Sequence, residues 1–266
     1  MIHSTWKTSL IRFVSILLLL CLWQLGAVVL DAQVILPTPG ATVLSFWSIV
    51  GSRPFSLNIG ATVIRALESF VVIVASGLVL GILAGYSKSF HVFLQPLVLL
   101  CKATPVMAII LLAFIWFSSG TVPLFSAFLM GFPVMFVQVE RGVGQISPHL
   151  SEMCRLYGFS RNLRLTHLVV PALIPSIVTG AKASLSMVWK VVIAAEVLTV
   201  PKYGVGSRLQ MSQVNLETSE VLAWTLVAIL LTAMGDLLFD VFLMLPPWLA
   251  KYKRHPIQRV SAVRNP

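Results

Sequence analysis

Four polar or ionisable side chains stand inside one long apolar run: Lys182, Trp189, Lys190 and Glu196. Lys182, Trp189 and Glu196 follow one another in seven-residue steps. At about 100° per residue these three fall on nearly one stripe of an α-helix, with Lys190 about 100° away. A charge set in hydrocarbon is costly, so such residues face protein or water. The chemistry they could do is attraction and passage of a small solute, with Lys190 drawing an anion. Each has a plainer reading beside it. Lys182 and Glu196 sit near the two ends of the run, within reach of the interface, and Lys190 could pair with a carboxylate such as Glu68. Arg65 and Glu68, three apart, could pair on one helix face. Asp236 and Asp240 form a further pair, four apart, in the last apolar run.

Covalent catalysis has no comparable support. There is no G-x-S-x-G elbow, no H-E-x-x-H pair and no Cys/His cluster. Cys21, Cys101 and Cys154 are odd in number and spaced for neither zinc nor redox exchange; they read as small buried or neutral side chains. No G-x-x-x-x-G-K-[ST] phosphate loop is present, so any ATP energy must arrive from another chain.

The elements that must position these residues are membrane helices. Of 266 residues, 58% are hydrophobic and 11% charged, with a mean hydropathy of +0.93; a soluble domain carries about 25% charged residues. The net charge of +10 is gathered in short clusters between apolar runs and in the tail. That is the pattern of membrane loops and excludes a nucleic-acid face. The length suits a single domain over residues 1–266, all-α, with spans expected at about 13–30, 58–86, 93–117, 122–139, 172–200 and 221–245. The first run lacks a small-x-small cleavage site and reads as an uncleaved helix. Thr38 and Pro39 predict the start of a short interfacial helix that Gly51 ends, with Trp47 at the interface. Gly77, Gly81 and Gly85, four apart, form one smooth face for another helix. Pro105 predicts a kink or break in the third span.

With the N-terminus inside, the inner segments hold Lys7, Arg12, Lys88, Arg141, Arg155, Arg161, Arg164 and the basic tail, while the outer segments hold Arg53, Lys202 and Arg208. This asymmetry puts both termini in the cytoplasm. The inner loop at 140–170 predicts a compact helix-turn-helix. Ser147 offers a capping hydroxyl before Pro148, Gly158 ends the first helix, and Ser160 caps a second that ends before Pro171. Met153, Leu156 and Tyr157 beside Arg155, Arg161 and Arg164 predict a protein-docking patch.

This stretch resembles the signature loop of binding-protein-dependent ABC importer permeases, E-A-A, three residues, G, nine residues, I-x-L-P. Here it reads Glu152-Met153-Cys154, three residues, Gly158, nine residues, Leu168-Val169-Val170-Pro171. The chain looks most like the nitrate, sulfonate and taurine branch, through Leu36-Pro37-Thr38-Pro39, Lys102-Ala103-Thr104-Pro105, Thr179-Gly180-Ala181-Lys182 and Tyr203-Gly204-Val205-Gly206. Glu68 and Lys190 depart from that branch. The resemblance implies a type I importer permease fold in the bacterial inner membrane. It implies an ATPase-coupling loop formed by Glu152, Met153, Cys154, Arg155, Leu156, Tyr157, Gly158 and Pro171. The implied partners are two ATPase copies, an extracytoplasmic solute-binding protein and a second permease, with ATP and Mg in the ATPase and no cofactor in this chain. The competing reading is a self-contained ion-coupled carrier, which usually shows midplane relays and repeated halves. No histidine falls at a span centre and no repeat is evident.

Overall fold

The computed structural model describes residues 3–244, and side chains at 10–160 and 162–243. Leu245, Pro246-Pro247 and the basic tail lie outside the described residues. All regular structure among the described residues is helical: α1 His3–Leu30, α2 Pro39–Val50, α3 Pro54–Tyr86, α4 Lys88–Ala103, α5 Val106–Trp116, α6 Val122–Gly144, α7 Pro148–Leu156, α8 Arg161–Arg164, a π-turn at Leu165–Val169, α9 Val170–Thr199, α10 Val205–Val214 and α11 Thr218–Met244. Five stretches are long and apolar enough to cross a membrane: Leu10–Leu30, Pro54–Tyr86, Val122–Gly144, Asn162–Thr199 and Thr218–Leu243. A sixth crossing arises if α4 and α5, bent by 103°, count as one.

That bend divides the continuous third span expected at 93–117. Proline crowds the residue before it out of the helical region, and Thr104 is extended, at φ −76° and ψ 129°. Pro105 becomes the N-cap of α5. The carbonyl of Leu100 accepts from both the backbone N–H of Thr104, at 3.0 Å, and its hydroxyl, at 2.7 Å.

A second difference lies before α9. The expected short helix does not stop ahead of Pro171; α8, the π-turn and α9 run on without a gap. The N–H of Val170 reaches back five residues to the carbonyl of Leu165. The wider turn takes up Pro171, which has no N–H to continue an ordinary ladder.

The chain divides into two compact units: residues up to Val63 with Ile193–Leu230, and Ile64–Val192 with the residues from Leu231 onward. In the first unit, α2 begins as its sequence predicts. Pro39 occupies the first turn, where its missing N–H costs nothing, and Thr38 Oγ1 accepts from the N–H of Ala41 at 3.2 Å. The indole of Trp23 on α1 donates to the carbonyl of Pro37 at 2.9 Å.

The second unit is built around α6, with 61% of its most apolar stretch buried. Both α4 and α5 pack on it. Ala84, Leu94, Val98, Phe132 and Phe136 form a shared core of α3, α4 and α6. On α3, Gly77, Gly81 and Gly85 meet Met135, Val139 and Val143 of α6. A Cβ on Gly77 would stand 2.5 Å from Met135 Cγ, and one on Gly81 2.8 Å from Val139 Cβ. The two helices therefore approach closely enough to exclude any side chain on that face.

Candidate coupling loop and polar membrane faces

In the second unit, α7 projects the signature residues. Pro148 occupies its first turn, and Ser147 is the N-cap by position without a side-chain hydrogen bond, contrary to the capping expected of its hydroxyl. Its C-terminus closes tightly. Phe159 N–H donates to the Cys154 carbonyl at 2.9 Å and Gly158 N–H to the Arg155 carbonyl at 3.2 Å. This double closure needs a left-handed residue between them, and Gly158 has φ +67°. The turn leaves Leu156 84% and Tyr157 75% exposed, with Met153 and Phe159 also open to solvent. Glu152 and Arg155 are exposed. Cys154 is buried, so within the signature it faces the protein. Ser160 Oγ accepts from the N–H of Leu163 at 3.3 Å and opens α8. Pro171 follows the π-turn in the first turn of α9.

In the same unit, α9 and α11 share a polar seam. Lys182 Nζ donates to both carboxylate oxygens of Asp240, at 2.7 and 2.6 Å. One turn on, Ser186 Oγ lies 3.0 Å from both oxygens of Asp236. The next step is Trp189, buried against Gly235, where a Cβ would stand 2.5 Å from the indole nitrogen. Its Nε1 has no hydrogen-bond partner among the described residues. Lys190 is exposed and makes no ion pair among the described residues. Glu68 is likewise exposed, and the pairing considered between it and Lys190 does not form among the described residues. Of the four candidates on α9, Lys182 and Lys190 are thus the exposed ones, with the charge of Lys182 already met by Asp240.

Glu196 belongs to the first unit and is fully buried, as are Asn58 and Thr62. Thr62 Oγ1 lies 3.0 and 2.9 Å from the two oxygens of Glu196. The loop ahead of α10 donates into this group through three successive backbone N–H groups. Gly204 donates to Asn58 Oδ1 at 3.0 Å, Val205 to Thr62 Oγ1 at 2.9 Å and Gly206 to Glu196 Oε2 at 3.1 Å.

One feature of the second unit escaped the sequence reading. A cavity of about 480 Å³ between α4 and α6 is lined by His91, Gln95, Lys102, Glu140 and Arg141 above an apolar floor that includes Val98 and Phe136. His91 Nδ1 is in contact with Glu140 Oε1. His91, Gln95, Val98 and Lys102 recur at helical spacing, and three polar residues on one stripe of a membrane helix were the signal available.

Residues 77–245 match the family profile described as binding-protein-dependent transport system inner membrane component. The candidate aliphatic sulfonates transport permease of Bacillus subtilis is 27% identical over 230 residues, 85% of this chain and 81% of that protein. The taurine transport system permease of Escherichia coli is 26% identical over 230 residues, 82% of this chain and 83% of that protein. The bicarbonate transport system permease of Synechococcus elongatus is 24% identical over 192 residues, 72% of this chain and 68% of that protein. The family match covers the close-packed α3–α6 face, the exposed α7 turn and the α9–α11 seam, and the relatives extend over most of the chain. This chain therefore belongs to the binding-protein-dependent inner membrane components, as an ABC importer permease of the sulfonate, taurine and nitrate branch.

Proposed function

We propose that the chain forms the translocation path of an importer for a small anion of the sulfonate, taurine or nitrate kind, in a multi-pass arrangement with both termini cytoplasmic. It pairs with a second copy or a close paralogue, receives solute from an extracytoplasmic binding protein and is driven by two copies of a separate ATPase that hold the ATP and Mg. The observation that carries this reading is the α7 turn. A rigid element presents Leu156 and Tyr157 to solvent within the matched family region. Large apolar side chains kept exposed on a fixed scaffold fit a partner's groove. In this reading Glu152, Met153, Arg155, Leu156 and Tyr157 meet the ATPase, with Cys154, Gly158 and Pro171 shaping the loop.

The test is co-purification from detergent of wild type against Gly158→Asp. The variant forces a Cβ into the left-handed region that Gly158 occupies, and the ATPase should be lost while the permease still elutes as a single species. An ATPase retained equally by both would refute the loop as the coupling element. A wild type that co-purifies with no ATPase would point to a self-contained carrier.

The anionic solute class is supported by the relatives' names and by Lys190, exposed on an apolar helix and in no ion pair among the described residues. Lys190→Met should lower anion uptake about tenfold or more at equal expression, the scale of one lost charge-assisted contact. Uptake at the wild-type rate would remove Lys190 from the path. The α4–α6 cavity, with Lys102 and Arg141, is a second stretch suited to the same anion.

A further inference from the structure

Helix α10 begins at Val205, and its N-cap is Gly204, which has no side chain with which to cap it. The first N–H groups of a helix need acceptors, and here all the side-chain acceptors come from other helices. Asn58 and Thr62 reach in from α3 and Glu196 from α9. Asn58 is itself oriented, because its Nδ2 donates to the carbonyl of Pro54 at 2.7 Å, which aims Oδ1 at Gly204. A carboxylate at this end of a helix also meets the positive pole of its dipole.

The fit leaves no room for solute at Glu196. A Cβ on Gly204 would stand 2.7 Å from the carboxyl carbon of Glu196, and one on Gly206 2.6 Å from its Cβ. The segment leaving α9 carries strain, since Val200, a β-branched residue, has φ +43°. Such a conformation persists where the surroundings over-determine it, and the three hydrogen bonds five residues on supply that restraint.

We infer that Asn58, Thr62 and Glu196 form an N-terminal cap supplied from outside α10, and that Glu196 is a positioning residue. It acts on transport through the backbone of Gly204–Gly206 and not by touching solute. What it positions is α10, whose Arg208 and Ser212 line a polar cavity of about 280 Å³ with Ser48, Ser52, Asn215 and Glu220. The transport half of this inference rests on the function proposed above; the cap itself does not.

The experiment compares wild type, Glu196→Gln, Glu196→Ala and Gly204→Ala as full-length protein in nanodiscs. Amide hydrogen exchange is read over residues 200–214, with ATP turnover of the co-purified complex as the second readout. The glutamine variant keeps an acceptor for Gly206, so its exchange and turnover should stay near wild type. The alanine variant should exchange about tenfold faster at the start of α10 and lose turnover. Gly204→Ala should do the same, because it displaces the carboxylate without removing the charge. If Glu196→Ala does not accumulate, Thr62→Val takes its place, removing only the bridging hydroxyl. Unchanged exchange in the alanine variants would overturn the cap. Equal loss of turnover in the glutamine and alanine variants with undisturbed exchange would overturn it in favour of a charge acting on solute. Faster exchange with wild-type turnover would overturn the positioning role. A wild type with no ATP turnover would count against the proposed function, and exchange alone would then decide the cap.

Discussion

Gly85→Ala should sharply lower the thermal midpoint of the detergent-solubilised protein, and adding Val143→Gly should restore part of it, the rest being lost with the packing of Val143 on Val169 and Leu173. The three atoms nearest a Cβ on Gly85 all belong to the side chain of Val143, whose Cγ1 would be 2.8 Å away. The double variant moves a small side chain from one helix to the other across the same gap. Overpacking of this kind costs about 1–3 kcal/mol, and with lipid as solvent close helix contact is itself the main source of association. Gly81→Ala should not be rescued by trimming Val139, because its Cβ would also stand 3.0 Å from the backbone oxygen of Phe136. Thermal aggregation followed by size-exclusion chromatography measures both. A Gly85→Ala protein as stable as wild type would show that α3 and α6 do not meet at this distance.

The second large effect is expected at Gly206. A Cβ there would run into the backbone oxygen of Ile193 and stand 2.8 Å from the backbone nitrogen of Val197. Neither neighbour is a flexible side chain. Gly206→Ala should therefore destabilise the protein at or beyond the upper end of the ~1–3 kcal/mol typical of overpacking. Shortening Glu196 should not restore it, although Glu196 Cβ is also in the way. The check is the thermal midpoint of Gly206→Ala alone and combined with Glu196→Gly, which removes that Cβ. Recovery in the double variant would mean that the clash is with the side chain alone.

Features that depend on local chemistry were legible in the sequence. Pro105 announced the break after Thr104, Thr38-Pro39 announced the start of α2, and Gly158 announced the turn at the end of α7. The four-residue glycine register identified a packing face but could not name α6 as its partner. What stayed hidden was set by long-range pairing. Nothing local to Lys182 points to Asp240, fifty-eight residues on. Helix α10 was missed because its residues are only weakly apolar and its cap lies on two other helices. The π-turn was missed because Pro171 reads as a stop unless a wider turn absorbs it. Ser147 had the right type and place for a cap, yet its side chain makes no such bond.

The bend at Thr104-Pro105 also sets the parity of the chain. Without the α4–α5 pair there are five crossing helices, and with it as one crossing there are six. An odd number would place Arg155 and Arg164 across the membrane from Arg12 and Lys88, against the charge preference that orients membrane proteins. An even number gathers all four in one compartment. The sidedness of the α7 turn, and of every residue after it, therefore hangs on two short helices, sixteen and eleven residues long, completing one passage between them.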